Sequence, residues 1–303
     1  MVKYILGVEI ECSNIKILEC RRKGEQLIIE KAHKIPAPIG SVSNGMIKDV
    51  QQVYEAIDKV MKTNKYRSKN MIFLIKSTEI ITREIYMPVM PKRDLDSILS
   101  LQYKDYLLVD LSKYQVAYKV IQEVKKDAVY QLELLIVAAP NTIIFPLLEV
   151  ANKLKIKVIG INTASDALTR LFSRHNRVTT IQEDDVMVLD MNEKATTITI
   201  VSGGVGALGK DISFGTDSLN ELATEIKKIL QFYFSNRQKA AIEKIYIVGA
   251  GAYCNHIKEK MTHLFDIPCV SGAELKGGQV SFKEEFQEES AYFANLLGAV
   301  NNF

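Results

Sequence analysis

The chain has 303 residues, 47% apolar and 25% charged, and its 39 basic and 36 acidic side chains leave a formal net charge of +3. These proportions suit a globular protein of about two domains with a sizeable core. They lack the basic excess of a nucleic-acid binder, and no apolar run reaches the ~18 residues of a membrane span.

Met1-Val2-Lys3-Tyr4 enters a strand pattern directly, without the apolar stretch of a secretion signal. Cys12, Cys20, Cys254 and Cys269 show neither C-x-x-C spacing nor a histidine at ligand intervals. Neither a zinc site nor a disulfide framework is expected, and the chain reads as cytoplasmic. Residues 4–10 form an apolar strand carrying Glu9, which turns through Glu11-Cys12-Ser13-Asn14 and returns over 15–18. Residues 26–35 alternate as a third strand, closed by Pro36-Ala37-Pro38. Val50, Val53, Ile57 and Val60 predict a helix over 49–61 with its N-cap near Asp49. Strands follow at 71–75 and 79–87, and Pro88-Val89-Met90-Pro91 stops the second.

From Lys92 the pattern changes. Leu95, Ile98, Leu99 and Tyr103 mark an amphipathic helix, and strands at 115–124 and 129–138 flank the polar turn Lys125-Lys126-Asp127. A helix plus a hairpin here predicts a small α+β subdomain, about 88–138, inserted in a first half of 1–175. A helix at 141–154, a strand at 157–161 and a helix at 164–172 lead to a polar junction at 179–185.

The second half, 176–303, starts the same way. A strand at 186–191 carries Asp190, turns through Asn192-Glu193-Lys194-Ala195 and returns over 196–201. Glu9 and Asp190 lie 181 residues apart, a separation that suits a domain duplicated once. A third strand is expected from Lys210 to Phe214, then a helix over 218–235 with Leu219, Leu222, Ile226, Ile229, Leu230 and Tyr233 on one face. A strand at 244–248 ends in Gly249-Ala250-Gly251-Ala252 before a helix to Leu264, and a strand at 267–270 precedes a loop rich in Gly, Gln and Lys. A final helix is expected over about 288–300. Strands mixed with helices in two similar halves point to an α/β fold.

Gly204-Val205-Gly206-Ala207-Leu208-Gly209 spells G-x-G-x-x-G, but a strand pattern follows where a dinucleotide site needs a helix, so these glycines are expected to close a hairpin. Walker A and nucleophile-elbow motifs are absent. Two acid-bearing hairpins facing across a cleft would aim backbone N–H groups and hydroxyls at a phosphate chain. The small residues 249–252 between strand and helix would let a ligand approach the backbone.

On these residues the chain resembles the PilM family, the actin-like cytoplasmic proteins of type IV pilus assembly related to the cell-division protein FtsA. Gly7-Val8-Glu9-Ile10-Glu11-Cys12-Ser13-Asn14-Ile15-Lys16 looks like the family's opening motif, and Asp190-Met191-Asn192-Glu193-Lys194-Ala195-Thr196 like its second phosphate motif. Tyr246-Ile247-Val248-Gly249-Ala250-Gly251-Ala252 is similar to the adenosine motif, Met87–Leu95 to the start of the insert, and 294–299 to the closing helix.

The resemblance implies a duplicated actin-like (ribonuclease H-like) fold with the insert in place of actin's small subdomain. It implies ATP with Mg²⁺ as cofactor. Glu9 and Asp190 would order metal-bound waters, Ser13, Asn14 and Thr196 would bond phosphate oxygens, and Cys12, Lys16, Lys194, Ala195 and Ala250 would complete the clamp. Glu225 and Lys228 would reach ribose and base beside Gly249 and Gly251. It also implies a partner, the cytoplasmic tail of a PilN-like membrane protein docked near Met87–Leu95, with other pilus inner-membrane components nearby. The protein would then sit peripherally on the inner face of the membrane through that partner. Glu11 and Asn192 occupy the places of two phosphate-loop glycines, and a carboxylate about 4 Å from a phosphate charge costs on the order of 4 kcal/mol at an effective dielectric near 20. Hydrolysis is therefore at most weak. Two alternatives stay open: an actin-fold adaptor that binds no nucleotide, and an actin-fold small-molecule kinase.

Overall fold

The computed structural model describes residues 4–126, 129–173, 181, 183–236, 241–272, 280–282 and 289–301. The turn tip at Asp127, residues 179, 180 and 182 of the polar junction at 179–185, the Gly-, Gln- and Lys-rich loop at 273–279 and the expected final-helix start at Glu288 fall outside them.

Strands β1 (Tyr4–Ile10), β2 (Asn14–Lys23) and β3 (Gln26–Pro36) form an antiparallel meander. A two-residue hairpin, β4 (Val42–Ser43) and β5 (Met46–Ile47), then precedes helix α1 (Val50–Thr63), whose N-cap Asp49 accepts from the Gln52 amide. Strands β6 (Asn70–Ile75) and β7 (Ile81–Pro88) lead to helix α2 (Lys92–Leu107). Strands β8 (Tyr114–Lys126) and β9 (Val129–Pro140), helix α3 (Asn141–Lys153), strand β10 (Lys157–Thr163) and helix α4 (Ala164–Phe172) complete the first half.

The second half runs β11 (Asp185–Met191), β12 (Thr196–Ser202), β13 (Val205–Ile212), α5 (Leu219–Asn236), β14 (Lys244–Gly249), α6 (Asn255–Phe265) and β15 (Cys269–Ser271). A short strand β16 (Val280–Phe282) and helix α7 (Ala294–Val300) follow.

Strand order establishes the duplication. The first sheet is ordered β10-β6-β1-β2-β3-β16 and the second β13-β12-β11-β14-β15. In each, a meander pairs through its first strand to a parallel strand, β6 on β1 and β14 on β11. Strand β16 adds parallel to β3, so the chain returns to the first sheet before ending.

Alternation along the strands sets the layers. Leu6, Val8 and Ile10 face α1 and α3, whereas Ile5 faces a central core shared with α4 and α7. In β11, Met187, Leu189 and Met191 face α5 and α6, while Val186 and Val188 join that central core. Helices α4 and α7 are thus sandwiched between the two sheets. They approach closely because Gly298 has no side chain: a Cβ there would lie 2.0 Å from the Ala167 carbonyl oxygen. Glu9 and Asp190 keep the parity of Ile5 and Val188, so the two sheets aim their acids at one another.

Strand β7 pairs with β9 in a separate three-stranded sheet, β7-β9-β8, so the insert's sheet takes in Ile81–Pro88 ahead of the expected start at 88. Met87, Leu95, Leu99, Leu107, Leu134 and Ile136 form its small core under α2. Strand β13 starts earlier than the expected Lys210. Only Gly203 and Gly204, with φ of 57° and 82°, make the hairpin turn. Gly206 and Gly209 lie within the strand, where a Cβ would sit 2.9 Å from Thr169 Oγ1 and 2.6 Å from Ser165. Those glycines seat α4 and open no helix, which disposes of the dinucleotide pattern.

Candidate functional site

The β1–β2 turn brings Lys16 directly opposite Glu9 in the antiparallel register, and the β11–β12 turn brings Thr197 opposite Asp190. Lys16 is fully buried, with Nζ 3.2 Å from Glu9 Oε2 and 3.4 Å from Glu11 Oε2. The centre of the site is a residue absent from the sequence expectations. Lys76 follows β6 immediately, and its Nζ lies 2.6 Å from Glu9 Oε1 and 2.7 Å from Glu11 Oε1 and also bonds Asp190 Oδ2. One ammonium therefore touches three carboxylates drawn from both halves.

Asn295, at the start of α7, donates from Nδ2 to Glu9 Oε1 at 2.9 Å and to Asp190 Oδ2 at 2.7 Å. Asn192 donates from Nδ2 to Glu11 Oε1 at 2.9 Å. Beside this cluster, Asp211 accepts from the Ser77 amide at 3.0 Å and the Thr197 hydroxyl at 2.6 Å, which ties the loop after β6 to the second sheet. Glu11 and Asn192, one from each turn, thus bond to each other across the cleft.

Lys76 is fixed from behind by the β4–β5 hairpin. Asn44 and Gly45 form its turn with φ of 47° and 77°, and a Cβ at Gly45 would lie 2.1 Å from the Lys76 carbonyl oxygen. Asn44 also accepts from the Thr78 amide at 3.1 Å and donates to the Thr78 hydroxyl at 3.0 Å. Asn-Gly between short strands is a strong local hairpin signal, and it was there to be read. The duplication offered a second signal: the register pairs Glu9 with Leu74 and Asp190 with Val248, so Lys76 is the counterpart of Ala250.

Charges are set by burial against pairing. Burial pushes the Glu11 carboxyl up, but the Lys16 and Lys76 ammoniums outweigh it and hold the group at about 2. Burial raises Glu9 against the pull of the same two lysines. For Lys76, burial works downward, yet Asp190, Glu11 and Glu9 lift it well above the ordinary lysine value. Lys16 is raised as well, its burial overcome by Glu11 and Glu9. Burial also raises Asp211.

The remaining expected residues divide. Cys12 and Ser13 are exposed on one turn and Lys194 and Ala195 on the other, and all four line the cleft between the turns, a cavity of about 160 Å³. Ligand sites for drug-sized molecules run to roughly 300–1,000 Å³. Asn14 bonds its neighbour Ser13, and buried Thr196 donates its hydroxyl to the Phe214 carbonyl at 2.8 Å. Gly249 adopts φ 72° and ψ −151°, and a Cβ there would meet Asp190 Oδ1 at 2.5 Å. At Gly251 it would meet Met191 Cβ at 2.8 Å. Their smallness seats β14 against the Asp190 turn, and neither glycine nor Ala250 lines the cleft cavity.

Glu225 and Lys228 lie elsewhere. Glu225 pairs with Lys210 at 3.0 Å and Lys228 at 3.3 Å. Lys210 is on β13, the sheet edge three strand positions from β14 and so roughly 14 Å from Gly249. Glu225 lines a cavity next to the cleft with Ser77, Thr78, Lys210 and Asp211, and neither Gly249 nor Gly251 is in that lining.

Glu9, Glu11 and Asp190 each offer a carboxylate oxygen within 4.8 Å of the others, a set able to ligate a cation. Mg²⁺ does not fit among them as they stand, because the Lys76 ammonium already contacts all three. A dication about 4 Å from that ammonium would be repelled by on the order of 8 kcal/mol at an effective dielectric near 20.

A family profile described as "Type IV pilus assembly protein PilM" matches residues 7–224. Among solved structures, the chain is similar to a "PilM-PilN type IV pilus biogenesis complex" with TM-score 0.83 at 15% identity, covering 97% of each chain. It is also similar to the ethanolamine utilization protein EutJ from Carboxydothermus hydrogenoformans, with TM-score 0.54 at 11% identity over 98% of this chain and 88% of that one. A Bacteroides thetaiotaomicron protein with an actin-like ATPase fold matches with TM-score 0.51 at 11% identity, over 88% of this chain and 90% of that one. The duplicated sheets described above are therefore those of the actin-like fold. No helix among the described residues is long and apolar enough to cross a membrane.

Proposed function

The chain belongs to the PilM family of type IV pilus assembly proteins, and from that premise we propose that it is an actin-like scaffold holding the cytoplasmic tail of a PilN-like membrane protein. It would work in the cytoplasm on the inner face of the membrane, tethered by that tail and next to other inner-membrane components of the pilus. A solved structure similar over nearly the whole chain is itself a PilM–PilN complex, which supports a partner of that kind.

The observation that carries the reading is a groove of about 820 Å³ beside the insert. Thr82, Glu84, Lys119, Ile121 and Leu135 of the insert sheet form one wall, and α4 with strand β13 forms the other. Strand β13 is the last strand of its sheet, so its outer edge offers backbone groups for an extended peptide, with side-chain pockets to either side. The Met87–Leu95 segment contributes instead to a groove of about 690 Å³ on the α2 side, with Met90, Leu95 and Val120 in its lining.

Fluorescence anisotropy with a labelled peptide of the partner's cytoplasmic tail tests this. Leu135→Arg should abolish binding, whereas Val120→Arg on the α2 side should leave it. The reverse pattern would move the peptide to the Met87–Leu95 side, and no binding to the wild type would end the proposal.

ATP with Mg²⁺, the cofactor implied by the resemblance, would have to displace Lys76. Isothermal titration with ATP, with and without Mg²⁺, measures whether it does. The kinase alternative needs a carboxylate free to act as base in a roomy cavity. Glu9, Glu11 and Asp190 are all bonded to lysine, and that favours a scaffold over an enzyme.

A further inference from the structure

Three carboxylates from two sheets converge to within 4.8 Å, an arrangement that would repel itself without a cation. The cation present is covalently part of the chain. Lys76 bonds Glu9, Glu11 and Asp190 together, and Lys16 backs Glu9 and Glu11 from the β2 side. The side chain is well placed for this: it is only 14% exposed, follows β6 directly, and has its carbonyl held against the Asn44–Gly45 turn.

We propose that Lys76 is a built-in cation, which takes the position a divalent metal would need among Glu9, Glu11 and Asp190 and holds the two halves closed without metal or nucleotide. This goes beyond the scaffold reading and does not depend on which peptide is bound.

Several contacts across the cleft support it independently of the metal question. Asn295 bridges Glu9 to Asp190, Asn192 bonds Glu11, and Asp211 receives the Ser77 amide. Each joins the first half or the closing helix to the second half, and none requires a bound ligand. The Glu11 carboxylate, out of place beside a phosphate, is in place as a partner for two ammoniums. Asn192 likewise acts as its donor. Glu11, Asn192 and Lys76 therefore share a single physical role.

The test uses Mn²⁺ as the metal probe on the full chain, read by electron paramagnetic resonance and by thermal unfolding. Wild-type protein should neither bind Mn²⁺ nor gain melting temperature from it at millimolar concentration. Lys76→Ala should melt lower, bind Mn²⁺ on the order of a hundredfold more tightly than wild type, and recover stability with it. Adding Asp190→Asn to that variant should remove the recovery.

A spin-label pair placed on exposed helices of the two halves, on Lys62→Cys and Lys227→Cys with Cys12 and Cys254 changed to serine, should report one distance, unchanged by ATP with Mg²⁺. Saturable wild-type Mn²⁺ binding that Asp190→Asn abolishes would overturn the proposal, as would a distance that shifts on adding the metal nucleotide. Should Lys76→Ala not fold, the wild-type Mn²⁺ titration and the spin-label distance, both made with Lys76 in place, still decide the matter.

Discussion

Replacing Lys16 by methionine keeps the length of its buried stem and removes only the ammonium. That ammonium lies 3.2 Å from Glu9 and 3.4 Å from Glu11 with no exposed surface. At those distances each pair is worth on the order of 5 kcal/mol gross at an effective dielectric near 20. Relief from desolvating the ammonium returns several kcal/mol of that sum. The net loss expected is about 3–5 kcal/mol, a large share of the ~5–15 kcal/mol by which domains are stable.

With an unfolding entropy of about 2.1 cal/mol/K per residue, a chain of this length should melt roughly 5–8 °C lower. Urea denaturation followed by circular dichroism would measure the loss directly. Its pH dependence identifies the cause. Glu11 is held at about 2, below its ordinary 4.5, so its stabilising contribution is complete above 4.5 and lost as pH falls through about 2. In the variant that carboxyl loses a lysine and protonates earlier, so the gap between variant and wild type should narrow from about pH 7 to about pH 4. Glu11→Gln in the same background should recover part of the loss by removing a carboxylate left short of cations. A loss below about 1 kcal/mol, or one that stays constant across that pH range, would refute the electrostatic account.

Gly249→Ala should cost about 3 kcal/mol or more, because φ 72° with ψ −151° suits only glycine and the new Cβ would press on Asp190; chemical denaturation measures it, and a neutral result would mean the β14 end is not pinned. Leu99→Ala empties a fully buried site in the insert's small core and should cost about 3–5 kcal/mol. Hydrogen exchange should then quicken in α2 and β7–β9 while the two large sheets keep their protection, and tail-peptide affinity should drop. Gly298→Ala should force α4 and α7 apart and lower the melting temperature, since its Cβ would overlap the Ala167 carbonyl.

The twin hairpins were readable because a strand, a turn and a return strand are local, and their apolar runs survive duplication. The same holds for the helices whose apolar residues recur at helical spacing, including α2 and α5. Strand β13 was read short because Gly206 and Gly209 look like turn residues until α4 is packed against them. Glu225 and Lys228 carry an expected role by resemblance alone, and in the fold Glu225 pairs with Lys210 of the edge strand β13 and with Lys228. Asn295 reads in the sequence only as part of a closing helix, and nothing local to it announces two carboxylates.

Local sequence thus determined the two acids, their parity on β1 and β11 and the polar turns that follow them, because side-chain alternation and turn chemistry act over a few residues. Only the tertiary structure decided what those acids meet. Lys76 and Asp190 are 114 residues apart, and Asn295 and Glu9 are 286 apart. A lysine after a short strand is an ordinary surface residue until two sheets close around it. Packing of α4 and α7 between the sheets then places its ammonium among three carboxylates.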